Sequence, residues 1–161
     1  MFYVKDLIFH TLEDFSVRFS ETDAAGLVHF TNFLRWAENA EGDFFRKYNL
    51  CLLEKNSAET LCGFPRVSVR IDYRAPARYA DCIRVKIRPQ ELPEENDRSL
   101  NWEFQIFRIE SDRTEKLLAL GSWTTVFAEI DFHGNTRAGK SVPAQVRNAI
   151  KTFLQKSKFP A

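Results

Sequence analysis

The residue best placed to do chemistry is Asp23, which lies in a predicted turn between a strand and a helix. Small residues and Gly26 follow it and permit a tight turn. The start of the helix offers unpaired N–H groups and the positive end of the helix dipole. Those donors could stabilise an oxyanion while the Asp23 carboxylate attacks a carbonyl or deprotonates a water. Spacing alone favours a plainer role, because an Asp before a helix is more often a cap or turn residue.

The helix is predicted from a change in the spacing of apolar residues. Between residues 33 and 48 they recur every three or four positions, as on one face of a helix: Phe33, Trp36, Ala37, Ala40, Phe44, Phe45 and Tyr48. Thr31 or Asn32 is predicted to cap its start by accepting from the first free N–H groups. A second helix is predicted over residues 143–155, beginning at Pro143, where no donor is lost.

Most of the remaining chain alternates between apolar and polar residues, which predicts strands with one buried and one wet face. On this pattern Arg66, Arg70 and Arg74 share the wet face. One long helix on one antiparallel sheet of about five strands is an α+β, two-layer arrangement. We expect a single domain over residues 1–161, in which residues 1–13 form an N-terminal arm or an extra strand.

Composition argues against several classes of protein. The net charge of +1 gives no support for nucleic-acid binding. Cys51, Cys62 and Cys82 match no zinc or redox motif, so we expect reduced thiols in a cytoplasmic protein, with no metal and no redox cofactor. The N-terminal residues include acids and lack a long apolar run, so neither a signal peptide nor a membrane span is expected.

Around Asp23, the run VRFSETDAAGLVHFTNFLRWAENAEGDFFR resembles the signature of the 4-hydroxybenzoyl-CoA thioesterase group of hotdog-fold proteins. The resemblance continues in IDYRAPARYADCIRVKI and, more faintly, in EIDFHGNTRAGKSVP. It implies a hotdog fold, in which the sheet wraps a central helix and active sites lie between the protomers of a homodimer or homotetramer. It also implies hydrolysis of an acyl-CoA thioester to free acid and CoA, with no cofactor beyond the CoA of the substrate.

The same resemblance assigns roles to residues of this chain. Asp23 becomes the nucleophile or general base, and the backbone N–H of Phe30 becomes the donor that holds the thioester oxygen. Gly26, His29 and Asn32 fall in the substrate-binding part of the motif. In addition, Gly63 opens the strand after the helix, where a wall of the pocket is expected. Many members carry Tyr or Trp where His29 stands, and His or Tyr where Phe30 stands.

Other readings of these residues stay open. His29 with an acid could serve a hotdog dehydratase or hydratase, and the same slot could bind an acyl-CoA without cleaving it. Some hotdog thioesterases place their carboxylate on the helix, where Glu41 lies; its plainer role is a partly exposed acid paired with Arg35 or Arg46. The acyl group, and its attachment to CoA or to a carrier protein, also stay open.

Overall fold

A computed structural model describes residues 7–55, 60–131, 133 and 135–156. Neither of the two α-helices in this part of the chain has the length and apolar character needed to cross a bilayer. The described elements, in chain order, are β1 His10–Thr11, β2 Phe15–Ser16, α1 Phe30–Lys47, β3 Leu53–Lys55, β4 Thr60–Gly63, β5 Arg66–Tyr73, β6 Cys82–Pro89, β7 Ser99–Ile109, β8 Glu115–Val126, β9 Ala128–Asp131, β10 Thr136–Gly139 and α2 Ala144–Gln155.

Six of the described strands form the main sheet, which is antiparallel throughout, in the order β1-β6-β7-β8-β5 with β2 also paired to β6. The predicted α+β class is confirmed, and the predicted count of about five strands is one too low. The difference arises because β1 and β2 are two residues each, too short to produce an alternating pattern. Of the predicted arm or strand over residues 1–13, residues 1–6 lie outside the described residues, and β1 lies within the rest.

The long helix α1 packs its apolar face on this sheet. Its buried rings meet buried side chains of β6 and β7, with Phe44 edge-on to Trp102 at 5.2 Å between ring centroids. Burial of such large rings removes much apolar surface from water and holds the helix on the sheet. The helix begins three residues before the predicted Phe33, and its N-cap is His29 instead of Thr31 or Asn32.

A second sheet lies beside the first and was not predicted. In the described residues it has the order β10-β9-β4-β3, with strands of three or four residues. Helix α2 starts one residue after the predicted Pro143 and buries Val146, Ala149, Ile150 and Phe153.

Strand β5 forms one edge of the main sheet and contains a bulge between Arg66 and Ser68. A bulge adds one residue to a strand and so changes which face the following side chains occupy. Arg66 is thereby directed toward α1, where it pairs with the buried Glu41. The prediction that Arg66 shares the wet face with Arg70 and Arg74 is therefore wrong.

Candidate active site

The loop that carries Asp23 is a closed turn in front of α1. Thr22 bridges to Val28 across it, and the Asp23 N–H donates to the Leu27 carbonyl at 2.8 Å. The Gly26 N–H donates to the Asp23 carbonyl at 2.9 Å, and Gly26 has φ of 71°. This left-handed backbone conformation explains a glycine at that position.

The Asp23 carboxylate is fixed through one oxygen only. Oδ1 accepts from the N–H groups of Ala25 at 2.8 Å and Leu27 at 3.3 Å. Oδ2 accepts no hydrogen bond from the described residues, and the side chain is exposed in the single chain. Asp23 thus has the turn role that spacing favours, and it also retains a free oxygen for chemistry.

The first turn of α1 supplies a free donor beside this loop. His29 caps the helix, with Nδ1 accepting from the Thr31 N–H at 3.4 Å. No hydrogen bond from the Phe30 N–H to another described residue is found, as expected for the first N–H of a helix. The Tyr73 hydroxyl donates to the Phe30 carbonyl at 3.0 Å, which ties the helix start to the edge strand β5.

Glu21 connects the Asp23 loop to α1, a role that sequence reasoning missed. Its carbonyl accepts from the Asn32 side chain at 2.8 Å, and its carboxylate accepts from the Trp36 indole and the Arg18 N–H, each at 2.8 Å. The available signal was Trp36 itself, since a buried indole N–H usually finds a partner. Asn32 therefore holds the loop in place and leaves the cap to His29.

The structure brings together most of the predicted site residues. Asp23, Gly26, His29, Phe30 and Asn32 share the junction between the loop and α1. Their predicted contacts with substrate stay predictions.

Gly63 lies elsewhere, in β4 of the second sheet. A Cβ there would lie 3.0 Å from Leu53 Cδ1, at the end of a flexible side chain, and 3.4 Å from the Leu52 carbonyl oxygen, so the space beside Gly63 is tight. Its predicted contact with substrate also stays a prediction. Among the described residues no cluster of His, Cys, Asp and Glu has an arrangement suited to a metal ion.

A second cluster of charges lies on α1 and β5. Arg66 pairs with Glu38 at 2.9 Å and with Glu41, and its guanidinium lies 4.4 Å from the centroid of the Trp123 ring. Glu41 is only 3% exposed, so the expectation of a partly exposed acid paired with Arg35 or Arg46 is wrong. Burial raises the pKa of Glu41 to about 7, although the charge of Arg66 and the indole N–H of Trp123 act in the opposite direction.

A groove of about 410 Å³ runs beside α1 and begins one residue after Phe30. It lies between the helix and the strands β5 and β8. The lining residues are Thr31, Leu34, Arg35, Glu38, Arg66, Val69 and Trp123.

A long helix held on an antiparallel sheet, with a carboxylate loop at the start of that helix, is the arrangement of the hotdog fold. The chain belongs to the thioesterase-like superfamily, whose family model matches residues 17–150.

Individual relatives agree with this assignment. A 1,4-dihydroxy-2-naphthoyl-CoA hydrolase of Synechococcus sp. (strain CC9605) is 32% identical over 81 residues, which cover 48% of this chain and 54% of that protein. The match thus spans about half the length of such curated relatives.

Solved structures share the fold. A 1,4-dihydroxy-2-naphthoyl-CoA thioesterase from Synechocystis has a TM-score of 0.66 at 23% identity, covering 89% of this chain and 96% of that one. A mutant 4-hydroxybenzoyl-CoA thioesterase in complex with 4-hydroxybenzoyl-CoA has a TM-score of 0.69 at 20% identity, covering 88% of this chain and 99% of that one.

Proposed function

We propose that the protein hydrolyses acyl-CoA thioesters to the free acid and CoA. The observation that carries the proposal is the junction of the Asp23 loop with α1. There a loop whose carboxylate has one anchored and one free oxygen leads into a helix whose first N–H, that of Phe30, donates to no other described residue. A thioester carbonyl fits between an attacking oxygen and a donor of this kind.

The chemistry requires only these groups and water. The Phe30 N–H donates to the carbonyl oxygen and stabilises the negative charge that develops when the carbon is attacked, a contribution of about 100-fold or more per donor. Asp23 Oδ2 either attacks the carbon and expels CoA as a thiolate, leaving an anhydride that water hydrolyses, or removes a proton from the attacking water. Both routes break the C–S bond, return Asp23 to its starting form and protonate the thiolate.

The relatives support this reaction class. The three relatives described above are named for aromatic acyl-CoAs, namely 1,4-dihydroxy-2-naphthoyl-CoA and 4-hydroxybenzoyl-CoA. We therefore propose CoA, rather than a carrier protein, as the acyl carrier. The three cysteines, all of them free thiols, support a reducing compartment such as the cytoplasm.

We also propose that the active unit is a homodimer or homotetramer. Strand β5 is an edge strand with exposed apolar side chains, since Val67 is 62%, Val69 45% and Tyr73 43% exposed. A long, apolar edge of this kind favours pairing with another strand. A second copy on β5 would lie against the groove and the Asp23 junction, because Val69 lines the groove and Tyr73 binds the Phe30 carbonyl.

The proposal is tested by following thiol release from aromatic and straight-chain acyl-CoAs. Asp23→Asn keeps the turn acceptor but loses the nucleophile or base, so kcat should fall at least ~100-fold. Asp112→Asn is the matched control, because Asp112 also accepts through Oδ1 from the N–H two residues on, in the turn between β7 and β8. Near wild-type kcat in Asp23→Asn would refute the role of Asp23.

A non-catalytic acyl-CoA-binding module is the alternative, and the turn bonds of Asp23 are the observation in its favour. Tight binding of an acyl-CoA with no thiol release over hours would support it. The structure gives little support to a dehydratase, because Nδ1 of His29 accepts a hydrogen bond as the cap of α1. Loss of activity in His29→Ala, together with an active Asp23→Asn, would favour that reading.

A further inference from the structure

The first turn of α1 leaves one backbone donor unused. The Thr31 N–H donates to His29 Nδ1 at 3.4 Å, and the Asn32 N–H donates to the His29 carbonyl at 2.9 Å. Of the first three N–H groups of the helix, only that of Phe30 therefore has no acceptor within the described residues. The direction of this N–H is set by the peptide unit between His29 and Phe30.

Hydrogen bonds hold this peptide unit from both sides. On the side of the Asp23 loop, the His29 N–H donates to the Glu21 carbonyl at 2.9 Å. On the side of β5, the Tyr73 hydroxyl donates to the Phe30 carbonyl at 3.0 Å. The first bond joins two backbone groups, whereas the second depends on a side chain. The Tyr73 hydroxyl is thus the part of this arrangement that a substitution can remove.

Tyr73 is itself fixed by its surroundings. It is the last residue of β5, where it pairs with Ala119 of β8. Its ring meets that of the buried Phe33 edge-on, at 5.3 Å between ring centroids. A side chain held by a sheet and by a core residue presents its polar atom at a defined position, as the support of a site must.

The Tyr73 hydroxyl is not needed for packing, because a phenylalanine would make the same ring contact with Phe33. It also satisfies no orphan acceptor. In a regular helix the carbonyl of the first residue already accepts from the N–H four residues on. A hydrogen bond of this kind, on a side chain that is 43% exposed, contributes little to the fold. Its main effect is therefore on the orientation of the helix start.

We propose that Tyr73 is a positioning residue for the oxyanion donor, because its hydroxyl fixes the first turn of α1 so that the Phe30 N–H points at the thioester oxygen. The inference rests on the proposed function, in which this N–H is the donor. Such a donor stabilises the transition state only when it is directed at the developing charge, and a displacement of about 1 Å can cost on the order of 100-fold in rate. Tyr73 acts through the helix, without touching the substrate.

The first test is kinetic. Tyr73→Phe removes the hydroxyl and keeps the ring. In the thiol-release assay its kcat should fall about tenfold while KM stays within about twofold of the wild type, because the donor acts on the transition state more than on the bound substrate. Incorporation of 4-aminophenylalanine in place of Tyr73 returns a donor to the same position on the ring and should recover most of the lost kcat.

Tyr48→Phe is the matched control. Tyr48 is also half-buried and also packs on a buried phenylalanine of α1, since its ring lies 4.8 Å from that of Phe44. It caps the other end of the helix, far along the chain from Phe30. Its substitution should leave kcat and KM unchanged. Both variants should unfold within a few degrees of the wild type, because each loses one hydroxyl and no packing.

The second test observes the donor through the carbonyl of a bound thioester. The Asp23→Asn protein, in which turnover is suppressed, is loaded with an acyl-CoA that carries ¹³C at the carbonyl. The ester is the one with the highest kcat/KM, or benzoyl-CoA if none is hydrolysed. A hydrogen bond from Phe30 should lower the carbonyl stretching frequency below that of the free ester in infrared difference spectra. Adding Tyr73→Phe should return the band toward the free ester, whereas adding Tyr48→Phe should not.

The inference is overturned if Tyr73→Phe keeps the wild-type kcat, or if it raises KM alone, which would mean that Tyr73 contacts the substrate. A bound carbonyl band that equals that of the free ester, or that ignores Tyr73→Phe, also overturns it.

Failure of the proposed function gives a different result. Absence of thiol release from the wild type, together with a bound carbonyl band that depends on Tyr73, would reject the hydrolysis and leave the positioning role standing. Turnover that depends on Asp23 but not on Tyr73 would do the reverse.

Discussion

At the scale of single residues, two carboxylates of this chain have opposite environments. Asp23 is exposed and keeps one oxygen free, whereas Glu41 is buried and faces Arg66. The Asp23 position follows from a local sequence pattern. The environment of Glu41 does not follow from any local pattern, because its partner Arg66 lies 25 residues away along the chain and is directed toward it by a bulge in β5.

Glu41 gives the first prediction, which concerns stability and pH. Its pKa is raised from 4.5 to about 7 in the folded protein, so between these values the folded state holds a proton that the unfolded state releases. The stabilisation that comes from holding this proton is fully present below about pH 4.5. It is lost as the pH rises through about 7, which lowers the free energy of unfolding by an amount on the order of 3 kcal/mol. Glu41→Gln should therefore raise Tm by several degrees at pH 8.5 and much less at pH 5.

Glu38→Gln is the control for that comparison, because Glu38 pairs with the same Arg66 but is largely exposed. Its effect on Tm should be small at both pH values. A Glu41→Gln protein that is no more stable than the wild type at pH 8.5, by scanning calorimetry, would show that Arg66 fully compensates the buried charge.

At the scale of elements, regular strands were predictable and irregular ones were not. Strand β6 alternates throughout between half-buried and buried residues, and β7 does so as far as Ile106, so period-two spacing predicts them. In β8 a register shift opposite Ile106 and Phe107 buries both Leu118 and Ala119, which breaks the alternation. The second sheet was missed because its strands of three or four residues are too short to show any period.

The candidate site likewise has a part that the sequence predicts and a part that it does not. The junction of a turn with a helix start can be found from Asp23 and the apolar spacing of α1, because both signals are local. Glu21 could not be placed, since its indole partner Trp36 is 15 residues away along the chain. Sequence reasoning thus predicts the atoms that would react and misses those that fix the loop.

The anchoring of the Asp23 loop to α1 gives a prediction at this scale. Glu21→Ala leaves the buried Trp36 indole N–H without its acceptor, so the free energy of unfolding should fall by about 1–3 kcal/mol. In a Trp36→Phe background, where this donor is absent, Glu21→Ala should lower the free energy of unfolding by less than it does in the wild type. Urea unfolding of the four proteins measures this coupling; strictly additive losses would mean that the bond contributes nothing.

At the scale of the whole molecule, the exposed edge of β5 determines how copies would meet. We expect Val67→Lys to weaken the proposed dimer, because an added charge on an edge strand opposes strand pairing. Light scattering across a dilution series should then show a larger monomer fraction than in the wild type. Leu92→Lys, at an exposed leucine outside β5, is the control. A wild-type protein that stays monomeric at every concentration would contradict the proposed assembly.

The groove and the free edge share strand β5, through Val69. Thermodynamic linkage requires that if occupancy of one alters affinity at the other, the influence is equal in both directions. A ligand that contacts two copies would thus stabilise their association, and association would in turn increase the affinity for the ligand. Specific activity would then decline at low enzyme concentration and recover when substrate is abundant.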